Sequence, residues 1–212
     1  MTASDVEVID ATLDSRYESY LYRCLAPAPF RKYRHRHEYL EATVPKGFRK
    51  KLLTFKGKVV GQIEYAPSEA SGYPVMGNGV IVMNCIWVLR KAKGHRFGTW
   101  LMKEMMNIER DAIGFAAIGL EGHWTGWLRR DHMEKLGFRV IDSFCVSHKT
   151  KHIGEPFSIH LMWLPMRSDA EQPAWDKNKL LEGVTFCMGH PLYRPQTYSQ
   201  KEILQEFKRE GK

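Results

Sequence analysis

The run Val80-Ile81-Val82-Met83-Asn84-Cys85-Ile86-Trp87-Val88-Leu89 is almost continuously apolar, and a basic, glycine-bearing turn, Lys93-Gly94-His95-Arg96-Phe97-Gly98, follows it closely. An apolar run of this kind predicts a central strand covered on both faces. Beyond the turn, Leu101, Met105 and Ile108 recur at helical spacing and predict a helix over 97–110. Strand, glycine turn and helix in this order place a helix N-terminus, with its unpaired N–H groups and positive dipole end, beside two glycines. Gly94 and Gly98 would let a phosphate approach the backbone, while Lys91, Lys93, His95 and Arg96 add positive charge. An ordinary strand-to-helix turn with solvated lysines accounts for these residues about as well. The turn is not a Walker loop, because no Gly-Lys-Ser or Gly-Lys-Thr follows. Its glycine spacing is not that of a dinucleotide site either.

The remaining elements surround this unit. Residues 6–9 read as a strand, and 13–25 and 30–42 as helices separated by Ala26-Pro27-Ala28-Pro29. Segments 51–55 and 59–65 form a hairpin across Lys56-Gly57-Lys58. A strand at 116–120, a helix at 125–136 closed by Gly137, and strands at 139–146 and 158–165 follow. The segment 167–175 reads as a polar linker. Beyond it a short strand is expected at 184–188, and a closing helix at 199–209, capped by Ser199 with Glu202 three residues on. This divides the chain into a main domain, 1–166, and an extension, 167–212, packing on it or on a partner subunit.

The chain has 212 residues, enough for one substantial core. No stretch approaches the roughly 20 apolar residues of a membrane span, and no export signal precedes residue 10. A cytoplasmic protein with no membrane role is therefore expected. Four scattered cysteines without a CxxC pair point to reduced thiols. Cys187 and His190 would supply half a metal site, but no second pair completes it, so no metal is expected. The net charge of +8 admits an anionic small molecule or nucleic acid. The cluster Arg31, Lys32, Arg34, His35, Arg36, His37 matches no nucleic-acid motif and reads as a solvated helix face. A second basic cluster comprises Lys46, Arg49, Lys50 and Lys51.

The segment from Ile86-Trp87-Val88 through Lys93–Gly98 to Leu101 resembles the coenzyme A signature of the GNAT acetyltransferase superfamily. Glu134-Lys135-Leu136-Gly137-Phe138 is similar to that family's "EKLGF" strand entry, and the element order over three quarters of the chain fits as well. The resemblance implies an α/β (α+β) fold, with a mixed, mostly antiparallel central sheet flanked by helices. It also implies an N-acetyltransferase that uses acetyl-coenzyme A as co-substrate. A small-molecule or peptide amine would attack directly, and a homodimer is compatible with this reading. Backbone groups around Ile86, Trp87 and Val88 would pair with the pantetheine arm. Those of Lys93, Gly94, His95, Arg96, Phe97, Gly98 and Thr99 would hold the pyrophosphate. Lys93 stands where the family has arginine or glutamine, and Arg96 replaces the central glycine.

Acyl transfer to an amine needs a neutral nucleophile, a polarised thioester carbonyl and a proton for the departing thiolate. By resemblance, the N–H near Val88 is the polarising donor and a tyrosine before "EKLGF" the acid. Here Met133 stands at that position, after His132, and methionine donates no proton. Cys85, His132 and His123 are replacement candidates for the acid, and Glu64, Glu121 and His123 for the base. Each has a plain alternative: Glu64 facing solvent, Cys85 inert in the core, His123 on the surface. Strand ends facing the cleft favour Glu121 and His123. The alternatives to an enzyme are an impaired acyl-coenzyme A binder and, with less support, a nucleic-acid-associated basic protein.

Overall fold

A computed structural model describes residues 5–25, 34–149, 152, 154–193 and 203–208. The first strand is β1 (Val6–Asp10). A 3-10 turn (Ser15–Tyr17) leads to a single helical turn, α1 (Glu18–Leu21), and then comes α2 (Arg34–Thr43). The two together are shorter than the helix expected over 13–25, because Asp14 caps a 3-10 turn at Arg16 N–H instead of letting an α-helix begin. The expected residues 30–33 lie outside the described residues. The hairpin forms as expected, from β2 (Arg49–Phe55) and β3 (Lys58–Pro67). Lys56 (φ 51°) and Gly57 (φ 71°) both take left-handed backbone at its turn, as a two-residue primed turn requires.

A two-residue strand, β4 (Val75–Met76), precedes the central β5 (Val80–Val88). It is followed by α3 (Phe97–Ile108), β6 (Gly114–Glu121) and a short α4 (Arg130–Lys135). The helix expected from residue 125 starts five residues later. The reason is that the Leu120 N–H donates to the Leu128 carbonyl at 2.7 Å, which folds the intervening loop back on β6, and Leu128 is left-handed (φ 48°). On α3 the buried stripe is Leu101, Met102 and Met105, whereas the expected Ile108 is 42% exposed. Strands β7 (Arg139–His148) and β8 (Pro156–Pro165) complete the main sheet.

Its order is β1-β2-β3-β5-β6-β8-β7, and an eighth strand, β10 (Leu204–Glu206), pairs antiparallel with β7. The closing helix is thus corrected: 204–206 form an edge strand, with residues 199–202 and 209 outside the described residues. Residues 184–188 form no strand. Val184 makes a single bridge to Tyr193 after Gly183, which is left-handed at φ 76°. The remaining elements are β9 (Ala174–Trp175), paired with β4, and α5 (Lys177–Leu181), capped by the Asp176 carboxylate. Segment 174–193 therefore lies on the same chain's core, with Phe186 buried against Tyr73 and Tyr39. Among the described residues, no helix is long and apolar enough to cross a membrane.

Among the described residues, only the β5–β6 pair of this sheet is parallel; its other neighbouring strands are antiparallel. Gly114 opens β6 beneath the fully buried Trp163. A Cβ there would lie 2.3 Å from the Trp163 ring and 2.8 Å from the Leu164 carbonyl oxygen. Gly114→Ala is therefore expected to destabilise the fold by about 1–3 kcal/mol. Thermal denaturation should show this as a Tm lowered by about 3–10 °C, and an unchanged Tm would contradict the packing described.

Candidate active site

The register between β3 and β5 slips at one residue. Glu64 pairs with Cys85 and Tyr65 with Met83, so Asn84 is left over as a bulge on β5. At that same residue β5 parts from β6: their parallel pairing runs from Val80–Gly114 to Met83–Ala117 and goes no further. A bulge bends its strand, and here the bend swings Cys85 to Val88 away from β6. The Asn84 carbonyl accepts from the Tyr73 hydroxyl, and its side-chain amide donates to the Tyr39 hydroxyl at 2.7 Å. On the other bank the loop after β6 brings Trp127 against Trp87, with ring centres 5.0 Å apart. The two strands thus enclose a cleft.

The cleft has a volume of about 860 Å3 and is lined by Ile86, Trp87, Val88, Lys93, Gly98 and Met133 among others. Its far end is the turn before α3. Gly94 (φ 91°) is left-handed there, and Arg96, at the helix N-cap, also takes a left-handed conformation (φ 57°, ψ 26°). Arg96 thus adopts a left-handed backbone at a cost of about 1 kcal/mol, and its side chain is exposed. The N–H groups opening α3 have no partners within the helix. A Cβ on Gly98 would meet nothing nearer than Leu136 Cδ2 at 3.9 Å, so this face is open to a ligand. Among the described residues, the buried Trp87 indole N–H has no hydrogen-bond partner. Extended, phosphate-bearing and apolar parts of one ligand would all find matching surface here.

The four catalytic candidates divide into two places. Glu64 is 1% exposed and holds a buried ionic cluster. Its carboxylate accepts from Arg36 Nη2 at 2.7 Å and from Lys50 Nζ at 2.7 Å. Burial alone would raise its pKa, but Arg36 and Lys50 outweigh that and hold it low. Arg36 also donates to the carbonyls of Leu21 and Phe186, tying three chain segments together. Arg36 reads in the sequence as part of a solvated helix face; the structure corrects that, since Arg36 is buried, as is Lys50 of the second basic cluster. Cys85 lies beside this cluster, 3.8 Å from Gln62 Nε2.

Glu121 and His123 instead front a second pocket of about 650 Å3, which shares Gly126 with the first. Glu121 pairs with Arg130 Nη1 at 3.3 Å and with His160 Nε2 at 3.2 Å. Thr125 N–H donates to His123 Nδ1, which leaves His123 Nε2 to bond His148 Nε2 at 3.3 Å. Trp124 lies against the rings of both His123 and His152. Of the candidate acids, only His132 lines the first cleft, next to the buried Met133. Among the described residues, no group of three or more potential ligands could hold a metal.

The sequence reading missed the pair formed by Tyr73 and His190. The Leu192 N–H donates to His190 Nδ1, so His190 Nε2 carries the proton toward the Tyr73 oxygen, and Tyr73 donates to Asn84. The one available signal was Asn84 itself, a lone polar residue inside an apolar run.

No protein-family model and no curated protein sequence matches the chain significantly. Solved structures do. One is a Desulfovibrio desulfuricans protein described as an acetyltransferase of the GNAT family (16% identity, 76% of this chain and 99% of that chain, TM-score 0.54). Another is the ribosomal-protein-S18-alanine N-acetyltransferase of Escherichia coli (12%, 79% and 97%, TM-score 0.52). A third is a GNAT-family acetyltransferase of Elizabethkingia anophelis with acetyl-CoA bound (13%, 76% and 98%, TM-score 0.50). The chain has the GNAT fold. Within the GNAT fold, the β5–β6 opening and the α3 turn are the features expected from the resemblance, while β9, α5 and β10 lie beyond residue 166.

Burial, followed by His148 and His152, pushes His123 down to about 4, and burial pushes His190 down to about 3. Unfolded histidine titrates near 6.5, so both groups bind protons less readily in the folded state. Their contribution to stability is complete above that value and is lost as pH falls through the folded pKa values. Tm is therefore expected to fall between pH 7 and pH 4. The His123→Gln variant should lose part of that slope, up to about 1 kcal/mol per pH unit; an identical slope would show that His123 titrates normally.

Proposed function

We propose that this chain is an N-acetyltransferase that binds acetyl-coenzyme A in the cleft between β5 and β6 and transfers the acetyl group to an amine by direct attack. The observation that carries the reading is the β5 bulge at Asn84, which opens the sheet directly above the Lys93–Gly98 turn. A glycine-bearing turn at a helix N-terminus suits a pyrophosphate, and an unpaired strand edge suits an amide-bearing arm. The solved structure with acetyl-CoA bound shares the fold and supports the same ligand.

Bound acetyl-coenzyme A would supply an activated thioester, and the chain's own groups would do the rest. Backbone groups of Ile86, Trp87 and Val88 orient the arm, and an N–H near Val88 polarises the carbonyl. N–H groups of Gly94, His95, Arg96, Phe97, Gly98 and Thr99, with Lys93 beside them, hold the phosphates. The amine enters from the second pocket, where Glu121 accepts its proton. His123, a weak base with its pKa pushed down to about 4 and both ring nitrogens hydrogen-bonded, helps to shape that pocket. His132 stands where it can return a proton to the departing thiolate. Glu64 and Cys85 hold the floor of the site rather than face it.

A second reading, coenzyme A binding without turnover, rests on Met133, buried at the place of the expected acid. One experiment addresses both. Acetyl-coenzyme A at about 100 times its Kd should stabilise the protein by about 2.7 kcal/mol, a Tm rise of about 5–10 °C. Gly98→Trp, which fills the cleft from an open position, should abolish that rise while leaving the unliganded Tm close to the parent's. No rise in the parent would overturn both readings. Thiol release with a panel of amines, peptide N-termini included, separates them, and Glu121→Gln should slow it if Glu121 handles the proton.

A further inference from the structure

Three adjacent strands bring together a hydroxyl, an imidazole and a carboxylate. Ser143 on β7 pairs across the sheet with His160 on β8, and His160 pairs with Gly119 on β6, two residues before Glu121. Directly paired residues share a face of the sheet, as do residues two apart along a strand. Ser143, His160 and Glu121 therefore stand in a row on one face. The Ser143 Oγ lies 2.8 Å from His160 Nδ1, and His160 Nε2 lies 3.2 Å from Glu121 Oε2.

The direction of these bonds follows from the donors available. An ionised carboxylate only accepts, so His160 Nε2 carries the ring proton toward Glu121. Nδ1 then presents a lone pair, and the Ser143 hydroxyl donates to it. Burial, outweighing Glu121, holds the His160 pKa below the ordinary histidine value, so the ring is neutral at pH 7. Arg130 Nη1, 3.3 Å from both Glu121 oxygens, helps to keep that carboxylate in place. A hydroxyl bonded to a neutral imidazole that is itself oriented by a carboxylate is the arrangement that turns serine into a nucleophile. Exposure is distributed accordingly: the His160 side chain is 5% exposed, whereas Ser143 is open to solvent. A buried ring needs a partner at Nδ1, and here the partner is a hydroxyl that a substrate can reach.

We propose that Ser143 is an activated nucleophile, with His160 as its general base and Glu121 orienting His160, and that it takes acyl groups from small activated carboxylic esters without coenzyme A. The Ser143 Oγ attacks the ester carbonyl carbon while His160 Nδ1 takes the hydroxyl proton. The bond from that carbon to the leaving oxygen then breaks, and the leaving oxygen receives the proton from Nδ1. Acyl-Ser143 remains. Water attacks its carbonyl, with Nδ1 again taking a proton. The bond to Oγ breaks, Oγ recovers that proton, and a carboxylic acid is released. Ser143 and His160 line neither the coenzyme A cleft nor the second pocket. On an open strand face the ester must bring its own good leaving group, as a small aryl ester does. The site stands or falls separately from acetyl transfer.

The test incubates the full-length protein, without coenzyme A, with diisopropyl fluorophosphate, whose fluoride a serine nucleophile displaces, and maps the modified peptide by mass spectrometry. The expected result is a diisopropylphosphoryl group on Ser143. The protein should also release p-nitrophenol from p-nitrophenyl acetate, and the modification should abolish that release. Ser143→Ala should show neither reaction while keeping the thermal shift with acetyl-coenzyme A. His160→Gln should slow phosphorylation about 100-fold or more. Ser143 left unmodified, a label on another residue in its place, p-nitrophenol release that survives in Ser143→Ala, or His160→Gln reacting at the parent rate would each overturn the proposal. Labelling of the parent protein decides the matter even if a variant fails to fold. A missing thermal shift with acetyl-coenzyme A in the parent would instead count against acetyl transfer alone.

Discussion

One misplaced residue shapes the centre of this molecule. Asn84 adds a bulge to β5 opposite Glu64 and Tyr65, and the strand that paired with β6 through Met83 no longer reaches it. A polar side chain in an apolar run would ordinarily weaken a central strand. Here its side-chain amide donates to Tyr39 and the backbone carbonyl of Asn84 accepts from Tyr73, so the bend is held from one side by two tyrosines. The Tyr73 hydroxyl is in turn held by His190 from the C-terminal segment. The opening of the sheet is therefore maintained by residues distributed from α2 to the loop beyond α5.

The ionic cluster below it does similar work by different physics. Two cations and one carboxylate, all buried, would cost several kcal/mol each in desolvation if unpaired. Their pairing, with further hydrogen bonds to the carbonyls of Leu21, Arg23 and Phe186, makes any other arrangement of those segments expensive. It fixes α1, the α2 face and the C-terminal loop around the same floor.

Much of the sheet could be read from residue patterns, because apolar runs and glycine turns act locally. The hairpin at Lys56–Gly57, the strand 80–88 and the helix opening at Phe97 all emerge where expected. Long-range partners decided the rest. The helix at 125–136 shrank because the Leu128 carbonyl is bonded to β6, and 204–206 became a strand because β7 offered a free edge. Arg36 reads as part of a solvated helix face until Glu64, from β3, is placed between it and Lys50. Pattern reading placed the glycine turn before α3, since a helix N-terminus and its glycines are neighbours in sequence. It brought Glu121 and His123 together but could not tell that they front a separate pocket.

The central claim is that the opened β5 edge and the α3 turn form one ligand site. Hydrogen exchange with and without acetyl-coenzyme A tests it most directly. The account predicts slowed exchange in peptides covering 86–88 and 94–99, with the second pocket around 121–131 changing little. Protection confined to 121–131, or none anywhere, would contradict it.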